Sequence, residues 1–315
     1  MTREPAVFLV LGALVVQGSR GEVKLSGNRQ RILLTMLLLE CNRVVAVDRL
    51  IRAIWGDSPP ATARSQIRIC VSSLRRQFAG GEVGATIETH KTGYRLRTPE
   101  AGVDLHRFGQ LISRARAEAA ERPDLDLALL YREALALWRG PLGEGLGSPL
   151  LDTVSLKFHE DYHSALEDCY ELELRLGYHR RVLGELTHHV SEHPFRETLT
   201  AQLMIALYRS GRTADALALF RDTHRRFRDE LGIVPGERLR SIEALILGAT
   251  DTAAPPRPVT RPATDTTPAQ HPCPDEALLF GAAPVHAGAA RTSTARSPAQ
   301  PPQQAQQAAT LRTRP

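Results

Sequence analysis

Apolar residues between Pro59 and Phe78 recur with helical spacing, and this stretch organises the first third of the chain. The apolar positions are separated by four, three and four residues: Ile67, Val71, Leu74 and Phe78. That spacing puts the four side chains on one face of an α-helix, which we expect to be buried. Pro59 and Pro60 favour a helix that starts at Ala61, because a proline ring suits the first helical turn.

Polar side chains form a stripe beside the predicted buried face. The stripe consists of Arg64, Arg68, Ser72 and Arg75. Guanidinium groups bind guanine or phosphate, and hydroxyl groups adapt to either, so this stripe suits contact with DNA. Ile69 points away from the buried face, where an apolar group can meet a thymine methyl. For the helix alone, an ordinary solvated face is an open alternative.

A basic hairpin is predicted directly behind this helix, over Thr86–Arg97. Two short β-like runs are joined by His90-Lys91-Thr92-Gly93, in which Gly93 supplies the conformational freedom of a turn. A hairpin of this kind after an arginine-bearing helix is typical of a winged helix-turn-helix. The alternative is a hairpin without a role in binding.

A small sheet is predicted at the start of the chain. Val7–Val16, broken at Gly12, indicates one or two strands, Gln17–Gly21 a turn, and Glu22–Leu25 a returning strand. Two helices should follow, Arg29–Cys41 with Ser26 or Asn28 as its cap, and Arg49–Trp55 with Asp48 as its cap. The predicted order is therefore sheet, three helices and hairpin.

The second half of the chain has a helical pattern with an internal period. Gly177 and Gly211 are 34 residues apart, which is the tetratricopeptide period, and each should end one helix and open another. The helices expected after them are Tyr178–Val190 and Thr213–Phe227. A tetratricopeptide-like domain offers grooves for protein contacts. A plain helical bundle with coincidental spacing is the alternative.

Charge and composition divide the chain into three parts. Residues 1–99 carry 15 Lys/Arg against 7 Asp/Glu, whereas residues 100–249 carry 19 against 24. A basic first domain beside an acidic second domain indicates a polyanionic partner at one end only. Residues 250–315 are rich in Pro, Ala, Thr and Gln, which predicts a disordered tail. The fold class expected is mainly α with a small β component.

Cysteine usage and hydropathy indicate a cytoplasmic protein. The four cysteines are widely scattered and form no CxxC pair: Cys41, Cys70, Cys169 and Cys273. This usage suits a reducing compartment. The apolar run Ala6–Val16 is interpreted as a buried strand rather than a signal peptide, since no small-residue cleavage site follows closely. No run is long enough to span a bilayer.

One short match to a metal-site motif offers a different function. His159-Glu-Asp-Tyr-His163 fits HExxH, in which the histidines would bind zinc and Glu160 would act as a base. A packed helix is favoured instead, because Leu166 and Cys169 replace the extended motif's glycine and histidine. Glu185 is an open candidate for a third ligand. The spacing of His188, His189 and His193 fits no common ligand set, and a solvated helix end is the default interpretation.

A series of short motifs along the chain occurs in an order that is typical of one protein family. The N-terminal motifs occur in order as Phe8–Gly12, Asn28–Leu34, Asp48–Gly56, Ser58–Pro60, Val71–Arg76 and Thr92–Leu96. The C-terminal motifs are Val103–Phe108, Ala134–Leu142, His193–Glu197, Leu203–Arg212 and Asp229–Gly236. Together these motifs resemble those of the AfsR/SARP family, the Streptomyces antibiotic regulatory proteins, and the resemblance covers about residues 5–248.

The resemblance implies a domain order, a function and a set of partners. It implies an OmpR-type winged helix over 1–99, a bacterial transcriptional activation domain over 100–249, and no enzymatic activity, cofactor or metal. Two protomers would bind direct repeats near the −35 region of an antibiotic or other secondary-metabolite cluster. They would also contact the sigma and alpha subunits of RNA polymerase. The expected location of the protein is the cytoplasm, in association with the nucleoid. A scaffold that binds DNA non-specifically is the second hypothesis, and a zinc protease is the third.

Ten residues are candidates for DNA contact under this interpretation. They are Arg64, Ser65, Arg68, Ile69, Ser72, Arg75, Arg76, Lys91, Thr92 and Arg95. Arg68 and Ser72 are expected to read bases, while Arg64 and Arg75 hold phosphate or guanine. The wing Lys91–Arg95 is expected to rest on the backbone or minor groove.

Overall fold

The computed structural model describes residues 8–251, which contain two small antiparallel sheets and a series of helices. The first sheet has the order β1-β2-β3 and is built from β1 (Phe8–Leu9), β2 (Val15–Gly18) and β3 (Gly21–Glu22). The second has the order β4-β6-β5 and is built from β4 (Val44–Ala46), β5 (Thr86–Thr89) and β6 (Gly93–Arg97). The winged helix adds α1 (Asn28–Leu39), α2 (Val47–Trp55) and α3 (Ala63–Gly81).

An all-helical region follows the second sheet. Its helices are α4 (Asp104–Ala117), α5 (Asp124–Leu135), α6 (Pro149–Arg175), α7 (His179–Glu192), α8 (Glu197–Arg209), α9 (Thr213–Arg226) and α10 (Glu237–Asp251). A short 3-10 helix, Glu100–Gly102, leads into α4, and a π-helical turn, Phe227–Leu231, follows α9. The expected fold class, a winged helix-turn-helix followed by an all-α region, is confirmed. None of the helices within residues 8–251 combines the length and apolar character needed to cross a bilayer.

The predicted apolar face of α3 is the centre of the winged helix. Ile67, Val71, Leu74 and Phe78 are each no more than 3% exposed, as the helical spacing predicted. The core around them also contains Phe108 and Leu142 of the helical region. A second core, around Tyr170 and Phe220, lies within α6 to α10. The division at residues 99/100 remains a prediction, and the first hydrophobic core extends across it.

The internal repeat is present in the helical region. Gly177 and Gly211 adopt φ values of 83° and 78°, a conformation that glycine tolerates at the end of a helix. Leu186 and Phe220, which are 34 residues apart, are both buried. These features support the tetratricopeptide-like arrangement that the 34-residue spacing predicts for α6 to α9. The predicted tail lies almost entirely in 252–315, outside the described residues, as does Cys273.

Several local predictions for the winged helix are wrong. The residue at the N-cap of α1 is Gly27, because Asn28 donates its side-chain amide to the Leu146 carbonyl, 2.8 Å away. Ala46 precedes α2, and Asp48 lies in its first turn, where its carboxylate pairs with Arg64. The side chains of Asn28 and Asp48, which the local pattern assigned to helix capping, therefore bind residues elsewhere in the chain.

The start of α3 and the wing glycine also differ from expectation. The helix begins at Ala63 and not at Ala61, since Pro60 belongs to a turn in which its carbonyl accepts a hydrogen bond from the Ala63 amide at 2.9 Å. Gly93 is required by close packing rather than by turn conformation. A Cβ at residue 93 would lie 1.9 Å from the Val45 carbonyl oxygen on β4. Strand β4 itself was not predicted, because three residues are too few to show alternation.

A buried carboxylate joins the N-terminal strand to the helical region. Asp104 is fully buried and accepts hydrogen bonds from the amides of Val10 (2.8 Å), Leu11 (3.1 Å) and Leu105 (2.8 Å). Burial raises the pKa of Asp104, whereas the backbone donors and Arg139 act in the opposite direction. Arg139 lies 3.7 Å from the carboxylate, and its own amide donates to the Leu11 carbonyl at 3.0 Å. The N-terminal segment is therefore held by groups far along the chain.

Replacing Asp104 should destabilise both the winged helix and the helical region that it joins. In Asp104→Ala three buried amides lose their acceptor, and each unpaired buried donor costs about 1–3 kcal/mol. We expect the free energy of unfolding, measured by urea denaturation, to fall by at least about 3 kcal/mol. The control is Asp215→Ala, which removes an exposed pair with Arg212 and should change stability by less than about 1 kcal/mol. Equal losses in the two variants would contradict the role of Asp104.

Candidate DNA-binding surface

The outward face of α3 carries all the helix residues that the sequence analysis selected. Arg64, Ser65, Arg68, Ile69, Ser72, Arg75 and Arg76 are exposed. Ile69 is 65% exposed, on the side of α3 that faces away from the core. The structure thus gathers these seven residues on one accessible surface. Their contact with DNA remains a prediction.

The arginines of this face differ in their partners within the protein. Arg64 Nη2 lies 2.6 Å from Asp48 on α2, and both side chains are largely exposed. Arg75 donates from Nε to the Ile87 carbonyl and from Nη2 to Thr89 Oγ1, both at 2.8 Å. Among the described residues we find no polar partner for Arg68. Its guanidinium therefore keeps its hydrogen-bonding capacity for a ligand.

Arg75 has a structural role that its place in the stripe did not reveal. Its two hydrogen bonds cross from α3 to β5, the first strand of the wing. Two of the five N–H donors of a guanidinium are therefore committed to the wing. Arg75 positions the hairpin relative to the helix, and the expectation that it holds phosphate or guanine now applies to its other donors.

The wing presents Lys91 and Thr92 at its tip. His90 and Gly93 exchange backbone hydrogen bonds of 2.8 and 3.3 Å, so that only Lys91 and Thr92 form the loop. Both are exposed. Arg95 lies on β6, where its Nε donates to Glu88 on β5 at 2.9 Å. The three wing candidates are thus two exposed loop residues and one arginine paired across the hairpin.

Arg29 lies beside the same face and was not among the residues predicted from the sequence. Arg29 is at the start of α1, donates to the side-chain oxygen of Gln66 on α3 at 2.6 Å, and lies over the ring of Trp55 at 5.5 Å. Only the packing of α1 on α3 brings it there. Arg29 contributes to the basic charge of residues 1–99, but no sequence pattern indicates that it lies beside α3.

The HExxH residues form a packed histidine cluster. His163 is 7% exposed, and its ring centroid lies 4.1 Å from that of His193. His159 contacts the edge of Trp138, and Glu160 pairs with Arg196. In residues 8–251, no three His, Cys, Asp or Glu side chains are arranged to hold a metal ion. Glu185, the candidate third ligand, instead binds Arg132 at 2.6 Å and the Tyr170 hydroxyl at 3.1 Å.

Two family models match the chain and divide it between them. Residues 21–96 match the C-terminal domain of transcriptional regulatory proteins, and residues 103–247 match the bacterial transcriptional activator domain. The regulatory protein DnrI of Streptomyces peucetius is 33% identical over 249 residues, which cover 76% of this chain and 91% of DnrI. The chain belongs to the AfsR/SARP family of transcriptional regulators.

Longer relatives share only part of their length with this family member. The regulatory protein AfsR of Streptomyces griseus is 35% identical over 83% of this chain, which spans about a quarter of AfsR (26%). A solved structure, Mycobacterium tuberculosis EmbR in complex with a low-affinity phosphopeptide, superposes with a TM-score of 0.72 at 33% identity. That match covers 77% of this chain and 65% of the EmbR chain.

The brace between Arg75 and the wing predicts a change in local opening. In Arg75→Ala, the hydrogen bonds to the Ile87 carbonyl and the Thr89 hydroxyl disappear, so β5 should open more often. Hydrogen–deuterium exchange without DNA should show faster exchange of the amides in Thr86–Thr89. Arg76→Ala is the control, since Arg76 is the adjacent exposed arginine. If both variants exchange like the unmodified protein, the brace does not hold the wing.

The histidine cluster predicts a loss of stability in acid. Burial, followed by the charges of Arg196 and nearby histidines, lowers the pKa of His163 from 6.5 to about 3. Between these values the unfolded chain binds a proton that the folded chain does not, so stability falls as the pH drops below 6.5. The slope from one such group is about 1.4 kcal/mol per pH unit.

The slope should be smaller when this histidine is replaced. We expect His163→Gln to reduce the dependence of unfolding free energy on pH between 6.5 and 5, with His188→Gln, at an exposed position, as the control. The pKa values of His189 and His193 are also lowered, mainly by burial, so part of the slope should remain. An unchanged slope in His163→Gln would show that His163 is protonated alike in both states.

Proposed function

We propose that this chain is a sequence-specific DNA-binding transcriptional activator that inserts α3 into the major groove. One observation carries the proposal: α3 buries a complete apolar face and exposes arginines, hydroxyls and Ile69 on the opposite face. An α-helix fits the major groove, where such side chains can reach base edges. Membership of the AfsR/SARP family supports the same function.

The exposed residues are assigned to base reading or to phosphate contact. Arg68 and Ser72, midway along the exposed face, read bases, and Ile69 meets a thymine methyl group. Arg64, Ser65 and Arg76 hold the phosphate backbone, which fixes the register of the helix. The wing rests on the backbone or minor groove through Lys91 and Thr92. Arg75 acts first as the brace of the wing.

The wider proposal concerns promoters and partners. Two protomers bind direct repeats near the −35 region of an antibiotic or other secondary-metabolite cluster. The repeats recur about one helical turn apart, because both copies must face the same side of the duplex. The helical region contacts the neighbouring protomer and the sigma and alpha subunits of RNA polymerase. Support comes from the tetratricopeptide-like repeat, since such helix pairs form protein-binding grooves.

In-vitro selection of DNA at a stated salt concentration is the first test. We expect the full chain to enrich a direct repeat. Binding without enrichment would favour the scaffold that contacts DNA non-specifically, because phosphate contacts alone carry no sequence information.

Substitution of Arg68 then tests the groove assignment. Arg68→Ala should cost about 1–3 kcal/mol on the selected duplex and relax the preference at one position. Arg76→Ala should weaken all duplexes alike and reduce the salt slope by about one unit. Arg180→Ala, an exposed arginine on α7, is the control and should change neither quantity. Unchanged affinity and preference in Arg68→Ala would mean that α3 is not placed in the groove as proposed.

A further inference from the structure

The wing contains one carboxylate surrounded by basic groups. Glu88 on β5 lies directly opposite Arg95 on β6 in the strand register. It accepts a hydrogen bond from Arg95 Nε at 2.9 Å, and both Arg97 Nη1 and His90 Nε2 lie 3.5 Å from its oxygens. Three basic side chains therefore converge on a single acid within the surface assigned to DNA.

Glu88 stays ionised in this setting. The hydrogen bond from Arg95 is the main cause that lowers the pKa of Glu88, and His90 and Arg97 act in the same direction. The side chain is 32% exposed, so its charge is partly open to the surroundings. A negative charge here opposes the approach of phosphate, and its hydrogen bond keeps Arg95 along the strand instead of extended toward a ligand.

Such a charge acts unequally on specific and non-specific DNA binding. Non-specific affinity comes almost wholly from basic side chains that neutralise phosphates, whereas specific affinity adds contacts with base edges. A carboxylate that pairs with the wing arginines reduces the phosphate contacts that give non-specific affinity. It leaves the base contacts of α3 unaffected. A cross-strand ion pair that is partly exposed, as this one is, contributes little to folding, about 0.2–1 kcal/mol.

We propose that Glu88 is a specificity-determining residue that restrains Arg95 and Arg97 and so weakens attachment to DNA of arbitrary sequence. This inference rests on the proposed function, because it assumes that the wing faces DNA. It concerns the weakening of non-specific binding, a role that the proposed function assigns to no residue.

The chain offers a closely matched control in Glu118. This carboxylate follows α4, is 31% exposed, and lies 3.0 Å from Arg114 and 2.5 Å from Arg122. Its pKa is also lowered, mainly by the hydrogen bond from Arg114. Glu118→Gln therefore makes the same change in net charge and also releases two arginines, but in the helical region.

The experiment compares Glu88→Gln, Glu118→Gln and the unmodified full chain on the selected duplex and on a scrambled duplex. Dissociation constants are measured at several salt concentrations. We expect Glu88→Gln to bind the scrambled duplex severalfold more tightly, with a salt slope steeper by about one unit. Its preference for the selected duplex should shrink, while Glu118→Gln should match the unmodified chain.

A double variant identifies the released group. Glu88→Gln combined with Arg95→Ala should lose most of the gain on the scrambled duplex if Arg95 becomes the new phosphate contact. Retention of the full gain would overturn the assignment to Arg95. Thermal unfolding of each variant separates a change in binding from a change in folding.

Other outcomes decide between this inference and the proposed function. If Glu88→Gln matches Glu118→Gln, or binds both duplexes less tightly, the inference is overturned while the unmodified chain's preference stands. If the unmodified chain shows no preferred sequence, the proposed function fails. The scrambled duplex still reports whether Glu88 restrains the wing.

Discussion

The hydrogen bonds between the buried carboxylate of Asp104 and the N-terminal strand segment are the interaction that joins the winged helix to the helical region. The amides of Val10 and Leu11 lie beyond β1, so the first sheet does not pair them, and they would be costly to bury without an acceptor. Asp104 supplies that acceptor from the first turn of α4, 94 residues along the chain from Val10. The N-terminal segment is therefore part of the helical region as much as of the winged helix.

Other polar contacts reinforce the same junction by satisfying the ends of helices. His106 Nε2 lies 2.8 Å from the Leu38 carbonyl at the end of α1, and Ser148 Oγ donates to the Ala53 carbonyl of α2 at 2.6 Å. Carbonyls in the last turn of a helix lack the intrahelical partners of the earlier ones. Ser148 supplies a partner to the Ala53 carbonyl, and His106 adds a contact to the Leu38 carbonyl, which also accepts from the Cys41 amide at 3.3 Å. With the shared core, these bonds fix α3 relative to the helices that follow. A partner held by the helical region would therefore meet DNA in a defined orientation.

The arginines of the proposed DNA surface differ in the partners that they bind within the protein. Asp48 holds Arg64, Glu88 holds Arg95, and β5 holds Arg75, whereas Arg68 has no polar partner among the described residues. Residues that look equivalent in a basic stripe thus differ in how much hydrogen-bonding capacity they retain. Arg68 keeps the hydrogen-bonding capacity of its guanidinium, which agrees with its assignment to base reading.

The sequence by itself determined the features that depend on local periodicity. The buried face of α3, the strands of the wing and the 34-residue spacing of Gly177 and Gly211 follow from neighbours along the chain. Tertiary structure decided which groups those elements meet: the acceptor for Val10, the glycine required at 93, the strand β4 and the partners of Arg75 and Arg95. Each of these features depends on residues that lie far apart in the sequence and meet only when the chain folds. Such residues leave no periodic signal in the pattern of apolar and polar positions.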